Sequence, residues 1–359
     1  MPKGRKAVAD VLEREKINKM KHALIPLSIP ISELGVEEYD KHYADDLDGR
    51  REKRFVRIKS SAVNDVILDI ADGSEYITYM DKPIKEGLVP EHLSAMQKKT
   101  RHRFAIRGVL GSQIAHMFGL KSSFSFMSPT YNEKVNVYSI DFVQQDKGFK
   151  TFNELGLCGE FNNSLSSIMT FFHWHIADNK DVDFLKDADE ETISKIEDQL
   201  VMSYLVRKEL LFDIDFIDVN IGMVYDKENV DIINYDYEYS FDAPYGSPNN
   251  DALDYVYTHF NHVYTKFIET AKLLKVALKE VMDEYRKTHD VKKLDEMENS
   301  ISQYKLTSEE VLFLYYKRLE FTIDKLIENH ENRMLKIAQG SFVGPSKKYH
   351  EVYVDTADY

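Results

Sequence analysis

Residues 210–241 read LLFDIDFIDVNIGMVYDKENVDIINYDYEYSF, and this stretch governs how the rest of the chain is interpreted. Two apolar runs separated by a short charged turn predict a β-hairpin. Asp215 and Asn220 both precede the hairpin and are separated by four residues. Asp236 comes directly after the second apolar run. We expect the hairpin to place the side chains of Asn220 and Asp236 at the same end, close to each other.

A carboxylate, a carboxamide and a second carboxylate in this order are the protein groups that a phosphoryl-transfer site needs. Asp215 is then expected to orient an attacking hydroxyl. Asn220 and Asp236 are expected to hold Mg²⁺, which needs few protein oxygens when phosphate and water complete its shell. By spacing alone, a polar turn followed by an acidic edge hairpin explains the same residues, and both interpretations stay open.

The sequence before residue 150 has a pattern that predicts a small antiparallel sheet. Short apolar runs linked by tight turns predict a meander of three strands, over 54–59 (RFVRIK), 66–70 (VILDI) and 76–80 (YITYM). Apolar residues at helical spacing predict one helix over 107–118, and alternation predicts another strand over 135–142.

Helical spacing dominates from about residue 150 onward. Asp189 is a candidate N-cap, because Asp side chains accept hydrogen bonds from the first turn of a helix. The predicted helices cover 161–176, 190–211, 250–288 and 307–338. The fold class is therefore α+β with two unequal lobes, a small antiparallel-sheet lobe and a mainly helical one.

Residues 210–241 resemble the catalytic core of the HipA-like and CtkA-like serine/threonine kinases. That core reads roughly N-x-D-R-H-x-x-N-x-G, followed by an apolar strand that ends in Y-D. The positions of this chain that match it are Asp215, Asn220, Gly222, Tyr235 and Asp236. The resemblance covers roughly residues 55–330, and its specific part is the stretch quoted above.

The resemblance implies a two-lobed protein-kinase-like fold and an ATP- and Mg²⁺-dependent phosphotransferase of the HipA-like serine/threonine protein kinase type. Asp215 is then the catalytic residue, and Asn220 and Asp236 are the metal ligands. The implied organisation is a basic N-terminal arm and polar loop over 1–54, an N-lobe over 55–148, a C-lobe over 149–338 and a polar, aromatic tail over 339–359.

The chain departs from the family's pattern at the position of the nucleotide-binding lysine. Tyr79 stands where that lysine is expected on the third strand, and Lys82 follows three residues later. The acidic helix partner of the lysine falls near Gly108, and Phe216 and Ile217 replace the Arg-His pair of the motif. A catalytically inert kinase-fold protein that acts as an interaction or structural module is therefore the alternative function.

No Gly-rich loop separates the first two predicted strands. Lys59, Ser60 and Ser61 stand in its place, and backbone amides and hydroxyls there are candidates for phosphate binding. The cation that faces the nucleotide phosphates is accordingly either Lys59 or Lys82.

Two features of the middle of the chain have simpler explanations than a ligand site. Continuation of the second hairpin strand through 235–239 (YDYEY) predicts its three tyrosines on one face and its two acids on the other. His173 and His175 lie in a predicted helix, where residues two apart diverge and cannot share one metal ion. We expect these histidines to pack or to form local hydrogen bonds.

Charge and composition limit the classes of partner. The chain has 359 residues with 47 Lys and Arg against 61 Asp and Glu, a net charge of −14. Basic side chains concentrate in residues 1–22 and 92–132, which we interpret as solvated faces or as docking surfaces for a protein partner or substrate. A nucleic-acid-binding protein is a third interpretation, and the acidic remainder argues against it.

The same composition favours a cytoplasmic protein. Its single cysteine, Cys158, excludes an internal disulfide and a cysteine-based metal cage. No apolar run is long enough for a membrane span, and the first residues have no apolar core of a secretory signal. Few Gly and Pro together with many Lys, Asn, Asp, Tyr and Ile suit a bacterial or phage protein, and the oligomeric state stays open.

Overall fold

The fold is described from a computed structural model of the whole chain. The described residues are 3–39, 54–63, 75–83, 103–120, 124–129, 135–141, 148–157, 164–173, 185–186, 188–226, 229–241, 247–290 and 307–346. The predicted strand over 66–70 and Cys158 lie outside these ranges. Across the described segments, no helix combines the length and apolar character that crossing a membrane requires.

The first part of the chain forms a five-stranded antiparallel sheet. Its strands are β1 (Glu37–Tyr39), β2 (Arg54–Lys59), β3 (Tyr76–Pro83), β4 (Ser125–Pro129) and β5 (Val135–Ile140), in the spatial order β1-β2-β3-β5-β4. β2, β3 and β5 confirm the strands predicted over 54–59, 76–80 and 135–142. The predicted three-stranded meander is wrong, because β2 pairs directly with β3 in an antiparallel direction and no strand lies between them in the sheet. The sequence does not predict β1 and β4, because both are short and are stabilised by pairing with a neighbouring strand.

One helix, α3 (Arg103–Met117), covers a face of this sheet. A shorter helix, α2 (Ile31–Leu34), precedes β1. Ala105 and Val109 of α3 pack against Val137 of β5, while Leu110 and Ile114 belong to the main core of the protein. Both sides of α3 are therefore buried, and the buried side chains include the polar Arg107, Ser112 and Gln113 beside the apolar ones.

The second part of the chain is mainly helical and contains a small second sheet. Its helices are α4 (Leu165–Phe171), α5 (Glu190–Tyr204), α6 (Asn250–His259), α7 (Asn261–Thr288) and α8 (Ser308–Ala338). The predicted hairpin is present as β7 (Ile221–Tyr225) and β8 (Val230–Asn234), and β6 (Gly148–Thr151) adds an unpredicted third strand beside β7. Predicted and observed architectures thus agree on small antiparallel sheets with mostly helical remaining structure.

Helix boundaries follow their capping residues. Asp189 accepts a hydrogen bond from the backbone N–H of Thr192 and begins α5, as its sequence position predicted. Thr307 and Glu310 form a reciprocal capping box at the start of α8. The predicted helix over 250–288 is divided at Phe260, whose backbone leaves the helical conformation.

The basic N-terminal segment packs against other helices of the chain. It forms α1 (Lys3–Ala23), whose Ile17 and Met20 are buried in the main core. Arg14 Nη1 lies 2.6 Å from Glu280 Oε1 on α7, and Lys21 Nζ lies 3.1 Å from Glu284 Oε1. Part of the local positive charge is therefore matched by acids of the same chain.

Two glycines of α3 make a matched pair for testing how this helix packs. A Cβ at Gly108 would meet Glu238 Cγ at 3.5 Å, an ordinary contact, whereas one at Gly111 would lie 2.9 Å from Ser240 Oγ and 3.0 Å from Tyr237 Cβ. Gly108→Ala should raise the free energy of unfolding by about 0.5–1 kcal/mol, because it removes backbone freedom from the unfolded chain. Gly111→Ala should lower it by about 1–3 kcal/mol through overpacking.

Urea unfolding of the two variants measures both changes. Stabilisation by both substitutions would mean that residues 237–240 do not approach α3 as closely as described.

Candidate active site

A buried arginine holds the segments of the candidate site together. Arg207 is fully buried, and its Nε donates to Asp213 Oδ2 at 2.8 Å while its Nη2 donates to the same carboxylate. Its Nη1 donates to the carbonyl oxygens of Asn220 and Tyr235 at 3.0 Å, and Nη2 donates to that of Asp236 at 2.9 Å. One guanidinium thus connects the loop before the hairpin with the residues that follow it.

The guanidinium also stacks between two aromatic rings. Its Cζ lies 4.9 Å from the ring centroid of Phe216 and 4.5 Å from that of Tyr237. Arg207 lies in a π-helical turn, Leu205–Leu210, that continues α5. From this turn its side chain reaches the backbone at the end of the hairpin. A charge removed from water in this way needs an ionic partner and satisfied hydrogen bonds, which Asp213 and the three carbonyls supply.

Asp215 and Asn220 contact each other directly. Asn220 Nδ2 donates to the carbonyl oxygen of Asp215 at 2.8 Å and to its Oδ2 at 3.0 Å. The backbone N–H of Asp215 donates to Asp213 Oδ1 at 2.9 Å, so the buried ion pair also fixes this loop. Because both bonds of the Asn220 carboxamide to Asp215 use its nitrogen, its oxygen is the atom left to bind a cation.

Asp236 begins a change of chain direction after β8. Its φ of 59° is a left-handed conformation, which Asp tolerates better than most residues. The backbone N–H of Tyr235 donates to the carbonyl oxygen of Asn220 at 3.2 Å, so Asn220 and Asp236 lie at the same end of the hairpin. The strand ends at Asn234, and the predicted alternation of residues along 235–239 is therefore wrong.

The candidate cation reaches the site from the five-stranded sheet. Lys82 is on β3 opposite Val137 of β5, on the face that α3 covers. Its Nζ lies 3.7 Å from Asp236 Oδ2, and its side chain is only 10% exposed. This ion pair connects the first sheet to the hairpin segment.

Burial and charge both act on Asp215. Burial raises the pKa of its carboxyl group, and the negative charge of Asp236 raises it further, while the hydrogen bond from Asn220 opposes the change. A carboxylate with a raised pKa holds a proton more firmly, which is the property that a general base requires.

The structure brings four of the seven predicted site residues together, namely Asp215, Asn220, Asp236 and Lys82. The others lie elsewhere on the first sheet. Lys59 pairs with Tyr76, six residues from Lys82 along β3, which is roughly 20 Å of extended strand. Ser60 and Ser61 continue beyond Lys59 in a short 3-10 turn, so these three residues are not part of the same cluster.

Sequence reasoning does not single out Arg207, which lies within the helix predicted over 190–211. The only local signal is the carboxylate of Asp213 two residues before Asp215. His173 is buried and bonded through Nε2 to Glu197 Oε1 at 2.5 Å, as expected for a packed histidine. In the described part of the chain, no group of three or more His, Cys, Asp and Glu side chains is arranged to hold a metal ion.

Replacement of Arg207 tests its role as the central connection. Arg207→Met retains an unbranched buried side chain but leaves Asp213 as an uncompensated buried charge, so the free energy of unfolding should fall by about 3–5 kcal/mol. The double variant with Asp213→Asn should recover part of this loss. Urea unfolding measures both, and a loss below about 1 kcal/mol in the single variant would contradict the assigned connection.

Glu209 predicts a pH-dependent stability. It is buried, accepts from the backbone N–H of Asn249 at 2.6 Å, and burial raises the pKa of its carboxyl group to about 7. Between the unfolded pKa of about 4.5 and this value the folded state binds more protons, so stability should decrease as pH rises through that window.

Glu209→Gln retains an acceptor for Asn249 and removes the titration. Relative to this variant, the parent should lose up to about 3 kcal/mol of unfolding free energy between pH 5 and pH 8. Urea unfolding across this range provides the measurement, and parallel pH profiles of parent and variant would contradict the assignment.

Comparisons with known proteins give limited similarity. No model of a known protein family matches the sequence, and no curated protein matches it. Among solved structures, the chain is similar to the crystal structure of the Helicobacter pylori proinflammatory kinase CtkA, with a TM-score of 0.43 and 10% sequence identity. The match covers 85% of this chain and 98% of that one. Similarity at this level identifies neither a family nor an activity.

Proposed function

We propose that this protein is an ATP- and Mg²⁺-dependent phosphotransferase with a two-lobed kinase-like fold, of the HipA-like serine/threonine kinase type. The observation that carries the proposal is the cluster of Asp215, Asn220, Asp236 and Lys82 around one buried guanidinium. Lys82 lies far from the other three residues in the sequence, and together they supply a base, two oxygen ligands and a cation at one place. The proposal includes a protein hydroxyl as acceptor and a cytoplasmic location.

Asp215 acts on the acceptor in this proposal. A hydroxyl oxygen of the acceptor attacks the γ-phosphorus of ATP, and the bond from that phosphorus to the β,γ-bridging oxygen breaks, so ADP leaves with the electron pair. Asp215 takes the hydroxyl proton. Its raised pKa and its fixed position beside Asn220 suit that step.

The donor atoms fit a magnesium ion. Asn220 offers a carboxamide oxygen and Asp236 a carboxylate, both at one end of the hairpin, and hard cations such as Mg²⁺ prefer such oxygens. When bound between nucleotide and protein, Mg²⁺ neutralises charge on the phosphates. Lys82 lies beside Asp236 and carries a second positive charge to the same position.

Three conservative substitutions separate the assigned roles. Asp236→Asn removes a negative charge from the metal position, so the affinity for Mg·ATP should fall by at least about 10-fold. Asp215→Asn should leave that affinity nearly unchanged and reduce phosphate transfer by about 10²–10⁴-fold. Asp218→Asn, in the same loop, removes an equal charge from a residue that contacts only its neighbouring backbone in the described contacts, and should change neither.

Thermal shift with ATP, with and without Mg²⁺, measures binding through the stabilisation of the folded state. Transfer of radiolabelled phosphate from ATP to protein measures catalysis. A parent protein that neither binds Mg·ATP nor transfers phosphate would contradict the proposal and favour an inert kinase-fold module.

A further inference from the structure

We propose that Lys208 is a second cation of the active site, which contacts the transferring phosphoryl group from the side of the acceptor. The inference rests on the proposed function and assigns a residue that neither the motif nor its spacing indicates. Lys208 follows Arg207 in the π-helical turn at the end of α5.

The position of the amine follows from two hydrogen bonds. Lys208 Nζ donates to the carbonyl oxygen of Asp213 at 2.9 Å. Asp213 Oδ1 in turn accepts the backbone N–H of Asp215 at 2.9 Å. The ammonium group therefore lies against the loop that carries the candidate base, and the ion pair between Arg207 and Asp213 keeps that loop in place.

The surroundings of this amine differ from those of an ordinary surface lysine. Lys208 is half-buried, and within the described part of the chain no carboxylate lies at ion-pair distance from its Nζ. Asp213 is already neutralised by Arg207. Among the described residues, the Asp213 carbonyl uses one of the three N–H donors of the ammonium, and the other two can bind another oxygen.

Burial lowers the pKa of Lys208 and the positive charge of Arg207 lowers it further, while the charges of Asp213, Glu209 and Asp215 only partly offset these effects. A desolvated cation is most useful where negative charge approaches it, since electrostatic attraction is stronger away from water. A transferring phosphoryl group brings such charge to its three equatorial oxygens. We therefore assign Lys82 to the nucleotide side of this group and Lys208 to the acceptor side.

The simpler explanation is that Lys208 only holds the loop in place through its hydrogen bond to the Asp213 carbonyl, and the experiment must exclude it. Lys208→Gln separates the two roles, since glutamine retains an N–H donor for that carbonyl and removes the charge. Lys208→Arg retains the charge. Lys195→Met, on the same helix at an exposed position, removes one positive charge away from the loop and is the matched control.

The probe is aluminium fluoride, which with Mg·ADP imitates a phosphoryl group in transfer. Isothermal titration calorimetry gives the affinity of each protein for Mg·ADP alone and in the presence of aluminium fluoride. Transition-state analogues bind at least about 100-fold more tightly than ground-state ligands, so the parent should gain affinity on addition of fluoroaluminate.

Lys208→Gln should bind Mg·ADP within about threefold of the parent and lose about 100-fold of the gain from fluoroaluminate, the effect of removing one preorganised donor. Lys208→Arg should retain most of the gain, and Lys195→Met all of it. A full gain in Lys208→Gln would overturn the inference, as would a loss of Mg·ADP affinity equal to the loss with fluoroaluminate.

Failure of the proposed function gives a different result. In that case the parent itself does not bind Mg·ADP, and the assignment of Lys208 falls with it. If Lys208→Gln does not fold, Lys208→Met takes its place in the same titrations. Methionine also removes the donor to the Asp213 carbonyl, so an equal loss of affinity for Mg·ADP with and without aluminium fluoride would show a structural role and overturn the inference.

Discussion

The buried ion pair between Arg207 and Asp213 is the interaction on which the candidate site depends. A guanidinium has five donors in a rigid plane, and here they connect one carboxylate with the backbone at Asn220, Tyr235 and Asp236. Lysine offers no such plane, so it has no equivalent geometry. These contacts hold the backbone of the proposed metal ligands in place, and the bond between Asn220 and Asp215 adds a side-chain contact within the site.

The second constraint is the meeting of two separate sheets at one ion pair. Lys82 extends from the middle of the first sheet, while Asp236 follows the hairpin of the second. α3 stabilises this approach from the side, because Gly111 allows Tyr237 and Ser240 to lie directly against the helix. The absence of a side chain at Gly111 therefore contributes to the arrangement together with the charged groups.

Sequence reasoning was accurate where a pattern is long or strongly alternating. The helix predicted over 307–338 differs from α8 by one residue at its start, and the hairpin strands agree closely. It missed β6, whose four residues have no pattern of their own and pair only with β7. It also missed Arg207, because the carbonyls and the carboxylate that bind its guanidinium come from loops that only the folded chain assembles.

The docking of α1 has a consequence for the order in which the chain folds during synthesis. The hydroxyl of Tyr316 on α8 donates to the carbonyl oxygen of Leu24, which is 292 residues earlier, and Leu24 itself is buried in the main core. α1 therefore completes its contacts only with a helix that lies far along the chain. Contacts of such long sequence separation slow folding, and until they form, buried residues of α1 such as Ile17 and Met20 lack part of their final packing.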